Sequence, residues 1–195
     1  MADPVTYSFY GTTVPVLRSC CKSAISILTT AQKELSDAEP GKFPDEKELL
    51  DAHFGTMFAF RQQPIMLAKF PLVALQHHSL SSAPAPSLDP SSFDSLASVV
   101  DFFQKMDAVL AGVDEAKFND AAEKGVDVPF QQAGKTLHMS GMADFYHGFV
   151  VPNAYFHLNA MYMLLRSKGF ALGKGVYVGS WMSETQMKDW APLRG

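Results

Sequence analysis

From Phe93 onward, Leu96, Val99, Val100, Phe103, Met106, Val109 and Leu110 recur at helical spacing, so they share one face of a helix and require another surface to cover it. The pattern ends near Gly112, a residue suited to closing a helix. A stripe of the same period, Leu17, Cys20, Ala24, Ile27, Leu28, Ala31 and Leu35, predicts a first helix from about Val14-Pro15 to Ser36, with the proline in the tolerant first turn. A second apolar segment, from about Asp45 to His78, carries Phe54, Met57, Phe60, Leu67, Phe70 and Val73, and Pro64 and Pro71 should kink or divide it. The last long helix is expected from Gly141 to Ser167, with Pro152 inside it and Gly169 placed to end it. No internal repeat is visible, and the reading is an all-α, four-helix bundle.

The connections refine this reading. Asp37 to Lys42 breaks the first helix from the second segment. Ser79 to Ser92 is rich in serine and proline, and a connection of that length spans a distance rather than turning tightly, so the helices it joins are expected to be parallel. Between Lys124 and Ser140, Val126 and Val128 alternate before Pro129-Phe130, and a turn near Gly134-Lys135 leads into Thr136-Leu137-His138-Met139. This predicts a small β-hairpin before the last helix. The whole chain, 1–195, reads as one domain with its core at about 8–180 and a tail at 181–195.

Hydrophobic residues make up 47% of the chain and charged residues 18%, enough apolar surface to offset the ordering entropy. The net charge is −4 and the sixteen Lys and Arg are scattered, so no phosphate-binding stripe exists and nucleic acid is not an expected partner. Met1-Ala2-Asp3-Pro4 lacks a basic region followed by an apolar one, and Lys69, His77 and Asn159 interrupt the longest apolar stretches. No membrane partner and a cytoplasmic location are therefore expected. Cys20 and Cys21 are adjacent and would point apart on a helix, which fits a reducing compartment. Cys20 falls on the apolar stripe and reads as a small buried hydrophobe rather than a nucleophile.

Tyr146, Asn153 and His157 lie seven and four residues apart, on one face with Val150, Ala160 and Leu164. This polar strip is either a satisfied network inside the core or a site completed from other helices. Polar residues available for completion are His53, Arg61, Gln62, Gln63, His77, His78 and, off the strip, His147. A histidine titrates near working pH, so His157 is the natural acid or base, with Asn153 and Tyr146 as orienting groups. Phe60, Phe149 and Phe156 would supply aromatic walls, and the principal pocket is expected to be lined by Phe149, Pro152, Asn153, Phe156 and His157, with Gln63 reaching in. Pro152 has no backbone N–H, so the Gly148 carbonyl should lose its usual partner and become a free acceptor beside that pocket.

Paired histidines four apart commonly ligate metal, but Asn153 stands four before His157 and an amide is a poor ligand, so no metal is expected. The minor alternative joins His157 to His147, His53 or a histidine ending the second helix. His77-His78 at a helix end suit the helix dipole and its free carbonyls. No phosphate-cradling glycine loop, nucleotide fingerprint or nucleophile elbow appears, which leaves organic cofactors and serine hydrolysis unsupported.

Val151-Pro152-Asn153-Ala154-Tyr155-Phe156-His157, then Ala160, Tyr162, Leu164-Leu165-Arg166, Gly169 and Leu172-Gly173-Lys174, resemble the signature of domain-of-unknown-function family nineteen ninety-three. That family lies in the DinB/YfiT-like superfamily of helical bundles. Tyr10-Gly11-Thr12-Thr13-Val14-Pro15, and Met57-Phe58 followed by Gln63, are similar to its pattern too, so the resemblance spans about 8–180. It implies a four-helix bundle whose second connection is long. The superfamily includes metal-dependent thiol transferases and a maleylpyruvate isomerase with a three-histidine site, of which only His157 is matched here; Asn153 departs from that site, and Thr56 replaces an acid common in relatives. The serine-proline loop and the tail with Trp181 and Trp190 are similar to fungal members. The expected function is a small-molecule enzyme, an isomerase or cyclase of an apolar metabolite. Its alternatives are a non-catalytic ligand-binding or structural protein and a metal-dependent DinB-type transferase, and a homodimer stays open.

Overall fold

The structure is a computed structural model that describes residues 6–130 and 133–193; Met1 to Pro4 and the last two residues of the tail lie outside them. In chain order it contains α1 (Val14–Asp37), α2 (Glu46–Asp51), α3 (Gln62–His77), α4 (Leu96–Ala111), α5 (Glu115–Asp120), the strands β1 (Val126–Phe130) and β2 (Lys135–Met139), α6 (Met142–Phe145), a π-helical turn (Tyr146–Val150), α7 (Val151–Ser167), α8 (Lys174–Val178) and α9 (Glu184–Asp189). The four long helices α1, α3, α4 and α7 form the bundle, with α1 packed against α4 and α7, and α3 against α7 and α4.

Hydrogen bonds between elements set the helix directions. Arg61 N–H donates to the Leu50 carbonyl and Leu96 N–H to Glu46 Oε1, so the N-termini of α3 and α4 both sit on α2. At the other end Ser81 Oγ, just past α3, donates to the Val109 carbonyl near the end of α4. The two helices are therefore parallel, as a long crossover requires. Arg18, early in α1, pairs at 2.9 Å with Asp107, late in α4, so α1 runs opposite to α4. The crossover is not featureless: Leu80 and Phe93 are buried, Phe93 meets the Phe102 ring edge-on at 5.4 Å, and Pro90–Ser92 forms a 3-10 turn capped by Asp89.

The expected second segment, Asp45 to His78, is two helices. Asp45 and Glu48 close a capping box on α2, and the chain then loops from Ala52 to Arg61 before α3 begins. Pro64 sits in the first turn of α3, where its missing N–H costs nothing, while Pro71 lies within the helix. Helix α4 starts later than Phe93 because Ser95 and Ser98 form its capping box. Beyond Ser167, α8 and the 3-10 turn Gly179–Trp181 pack on α1, tied by Ser23 Oγ donating to the Tyr177 carbonyl, and α9 (Glu184–Asp189) lies within the expected tail.

α1 is covered on both flanks, so both Cys20 and Cys21 are fully buried, and burial pushes both thiols well above the ordinary range. They pack as hydrophobes rather than act as nucleophiles. The hairpin forms as expected, with Val126 opposite Met139 and Val128 opposite Leu137, and β1 lies against α3 through buried Val126 and Val128. No helix among the described residues is long and apolar enough to cross a membrane.

Gly169 ends α7 in a Schellman arrangement: Gly169 N–H donates to the Arg166 carbonyl and Phe170 N–H to the Leu165 carbonyl, with Gly169 at φ 94°. The reversal delivers Phe170 to a stack on Phe43 at 4.2 Å. A Cβ at Gly169 would meet only ordinary contact with Phe43, so the cost of Gly169→Ala is conformational and should be about 1 kcal/mol. Gly148, inside the last long helical run with open space around it, should behave oppositely, Gly148→Ala stabilising by about 0.5–1 kcal/mol. Urea unfolding of the two variants checks the opposed signs.

Candidate functional site

The polar strip of the last helix is turned onto α3, and each of its three members bonds there separately. Tyr146 Oη donates to the Pro71 carbonyl at 3.3 Å, Asn153 Nδ2 to the Met66 carbonyl at 2.9 Å, and the His157 Nδ1 lies 2.7 Å from Gln63 Oε1. As the strip ascends from 146 to 157 its partners descend from 71 to 63, so α7 is antiparallel to α3. Asn153 and His157 do not satisfy each other; α3 satisfies both.

Gln63 settles the state of His157. Its Nε2 donates to the Phe58 carbonyl at 2.6 Å, and a carbonyl can only accept, so the amide oxygen is the atom facing the imidazole. His157 Nδ1 must then carry the proton, leaving Nε2 with its lone pair and with no hydrogen-bond partner among the described residues. His157 is 5% exposed, and burial lowers its pKa to about 4, so the ring is neutral at physiological pH.

A groove of about 670 Å³ opens beside this seam. One wall is a face of α3 with the residue leading into it: Phe58, Gln62, Ile65, Met66, Lys69 and Phe70. The others are Leu88 and Pro90 of the crossover, Phe130 and Ala133 of the hairpin, and Phe149 and Asn153 of the last helix. Phe70 is the hub of its aromatic lining, with the Phe149 ring edge-on at 4.8 Å and Phe130 at 5.7 Å.

Of the pocket residues expected from sequence, Phe149 and Asn153 line this groove; Pro152, Phe156, His157 and Gln63 do not. Pro152 and Phe156 face outward, Phe156 being 56% exposed. Phe60 is 1% exposed in the core rather than a wall. Tyr146 is fully buried beside Phe9 and Phe118, and burial pushes its phenol well above the ordinary range, which makes it a structural hydrogen bond. His157 stands one helical turn, about 6 Å along the axis, from Asn153 at the groove wall. The π-helical turn explains part of this: Val151 N–H donates to the Tyr146 carbonyl five residues back, so the ladder widens before Pro152, and Gly148 does not line the groove.

The remaining polar candidates are scattered. His53 is exposed with Nδ1 donating to the Gly55 carbonyl, Arg61 pairs with Asp51 at 2.8 Å, and His147 bonds Thr12 and Ala143. His77 and His78 sit at the C-terminus of α3, where burial and the neighbouring His77 lower the proton affinity of His78. Among the described residues no three His, Cys, Asp or Glu side chains converge. Asn153 spends its amide on Met66, so the residues present do not fit a three-histidine metal centre.

The residues that sequence reasoning missed are mainly those of α3. Ile65, Met66 and Lys69 recur at helical spacing on one face with Gln62, which the sequence had offered as a completing residue, and the single lysine in that apolar run was the available signal.

His157 also imposes a pH dependence on stability. Its folded pKa of about 4 lies below its unfolded value, so the unfolded chain binds the proton first as pH falls. Stability should be fully present above about pH 6.5 and lost progressively toward pH 4, by about 2–3 kcal/mol in all. Unfolding midpoints of His157→Gln, compared with the parent across that window, should lack this part of the slope.

Comparison with known proteins places the chain. The crystal structure of a DinB family member protein from Shewanella denitrificans superposes with a TM-score of 0.67 at 25% identity, covering 87% of this chain and 91% of its own. No curated protein matches the sequence. The profile described as "Domain of unknown function (DUF1993)" matches residues 9–178, most of the bundle. With its four-helix, DinB-like architecture and that match, the chain belongs to the DUF1993 family.

Proposed function

We propose that the protein binds a small, largely apolar molecule in the groove between α3, the crossover, the hairpin and the last helix. The observation that carries this is the composition of a cavity of about 670 Å³: aromatic and aliphatic walls from four separate segments, with Lys69, Gln62 and Asn153 as its polar members. That size and balance are those of small-molecule sites, which are mostly apolar with a few placed polar groups. Walls drawn from four segments enclose a ligand from several sides, whereas a flat exposed patch suits a protein partner. The test is titration with the neutral fluorophore N-phenylnaphthylamine. Saturable binding is expected, and Phe149→Glu, at a position 38% exposed and so tolerant of change, should weaken it at least about tenfold by placing a charge in the wall. Binding by Phe149→Glu at parental strength would defeat this reading.

A second reading, catalysis by proton transfer in an isomerase or cyclase, is favoured by one observation, the bare Nε2 of a neutral, tautomer-fixed His157. Such a nitrogen is unprotonated at working pH and free to take a proton, although its low pKa makes it a weak base until a ligand or water beside it stabilises the charged ring, and Gln63 holds that ring in one orientation. If the groove ligand is turned over, His157→Gln should cut turnover by about a hundredfold or more while leaving N-phenylnaphthylamine affinity unchanged. Retained turnover in that variant would leave binding as the function.

A further inference from the structure

The three polar residues among the described lining of the groove are not equivalent, and their hydrogen bonds orient what each offers. Asn153 Nδ2 gives one of its two hydrogens to the Met66 carbonyl, which fixes the orientation of the amide and leaves Oδ1, with no partner among the described residues, as its acceptor for a ligand. Gln62 Oε1 accepts from Ala59 N–H at 3.0 Å, which orients the amide and leaves both hydrogens of Nε2 as donors. Lys69 packs its ammonium 5.7 Å from the Phe70 ring centroid, and among the described residues it forms no ion pair with a carboxylate. It offers a positive charge and hydrogen-bond donors.

These groups are also ordered in space. Lys69 is one turn from Met66 on α3, Gln62 is one turn from it in the other direction, and Asn153 reaches across from α7 at the level of Met66. Lys69 and Gln62 are thus about 10 Å apart along the helix axis, with the acceptor of Asn153 between them and aromatic surface on the opposite walls. Resting on the groove reading above, we propose that the occupant is a small aromatic amphiphile carrying an anionic group at the Lys69 end and a separate hydroxyl or N–H donor that meets Asn153 Oδ1.

The chemistry excludes two simpler classes. A pure hydrocarbon would leave the Asn153 oxygen and the lysine ammonium desolvated without partners, a loss the apolar contact must overcome. A cation would be repelled by Lys69 and would find no carboxylate among the described residues of the lining. An anion gains from Lys69 in a site partly shielded from water, and that gain is screened by salt. The aromatic body is the part recognised by Phe70, Phe130 and Phe149, whose rings already stand edge-on or tilted to one another.

The experiment uses the intact protein and three probes: a hydroxynaphthoate with its two groups on opposite rings, its methyl ester, and plain naphthoate. Displacement of N-phenylnaphthylamine gives each affinity. The hydroxy acid should bind about tenfold more tightly than its ester, and this preference should shrink at high salt and collapse toward equality in Lys69→Met. It should also bind several-fold more tightly than plain naphthoate, with the Asn153 side-chain amide resonances shifting only for the hydroxylated probe. Equal affinity of acid and ester, or of hydroxylated and plain acid, overturns the polarity assigned here while N-phenylnaphthylamine continues to report the groove. Failure of N-phenylnaphthylamine itself to bind overturns the groove reading and this inference together.

Discussion

Two packed helices normally meet through apolar side chains, yet the seam between α3 and the last helical run is held by buried and half-buried polar groups. Tyr146, Asn153 and His157 each reach an acceptor on the facing helix, two of them backbone carbonyls and the third the Gln63 amide oxygen. A buried polar group without its partner costs about 1–3 kcal/mol, so sliding α7 by one residue along α3 would forfeit several such bonds at once. The register of the seam is therefore specified far more sharply than dispersion contacts alone would specify it. The groove depends on that register, since Asn153 and Phe149 reach its wall from α7 and the π-helical turn while Met66 and Phe70 reach it from α3.

The same bonds divide one polar strip into groups of different character. Asn153 stays half-buried at the edge of the groove with an oxygen to spare. Tyr146 is locked among aromatic rings. His157 is held by a chain of fixed donors and acceptors that begins at the Phe58 carbonyl and passes through Gln63. That chain removes the ambiguity an imidazole usually carries, because each link has only one chemically permitted orientation.

Much of the bundle was legible in sequence because it rests on periodicity. The stripes of α1 and α4, the long crossover, the hairpin around Val126 and Val128 and the stop at Gly169 all follow from local pattern. The break between α2 and α3 was not, since Phe54 and Met57 continue an apolar pattern through a loop where both are only about one-third exposed. The strip was read as a single face, but the π-helical turn inserts one residue's worth of rotation, about 100°, between Tyr146 and Asn153. That slip sends Tyr146 into the core and Asn153 to the groove. Phe60 was equally ambiguous: an aromatic residue near a site reads as wall or core alike until the tertiary packing is known. Lys69 was weighed only as a barrier to membrane insertion, because a single charge in an apolar run does not reveal which cavity it borders.

The groove's walls differ in how firmly the fold holds them. Its floor belongs to α3 and α7, whose side chains also hold the bundle together. Leu88 and Pro90 belong to the stretch of crossover between buried Pro86 and buried Phe93, and Phe130 and Ala133 belong to the tip of a two-stranded hairpin. Substitutions or length changes in those two segments can reshape the cavity with little consequence for the shared interior. Within such a scaffold, ligand preference can diverge while folding is conserved, so two relatives with superimposable helices need not share a substrate.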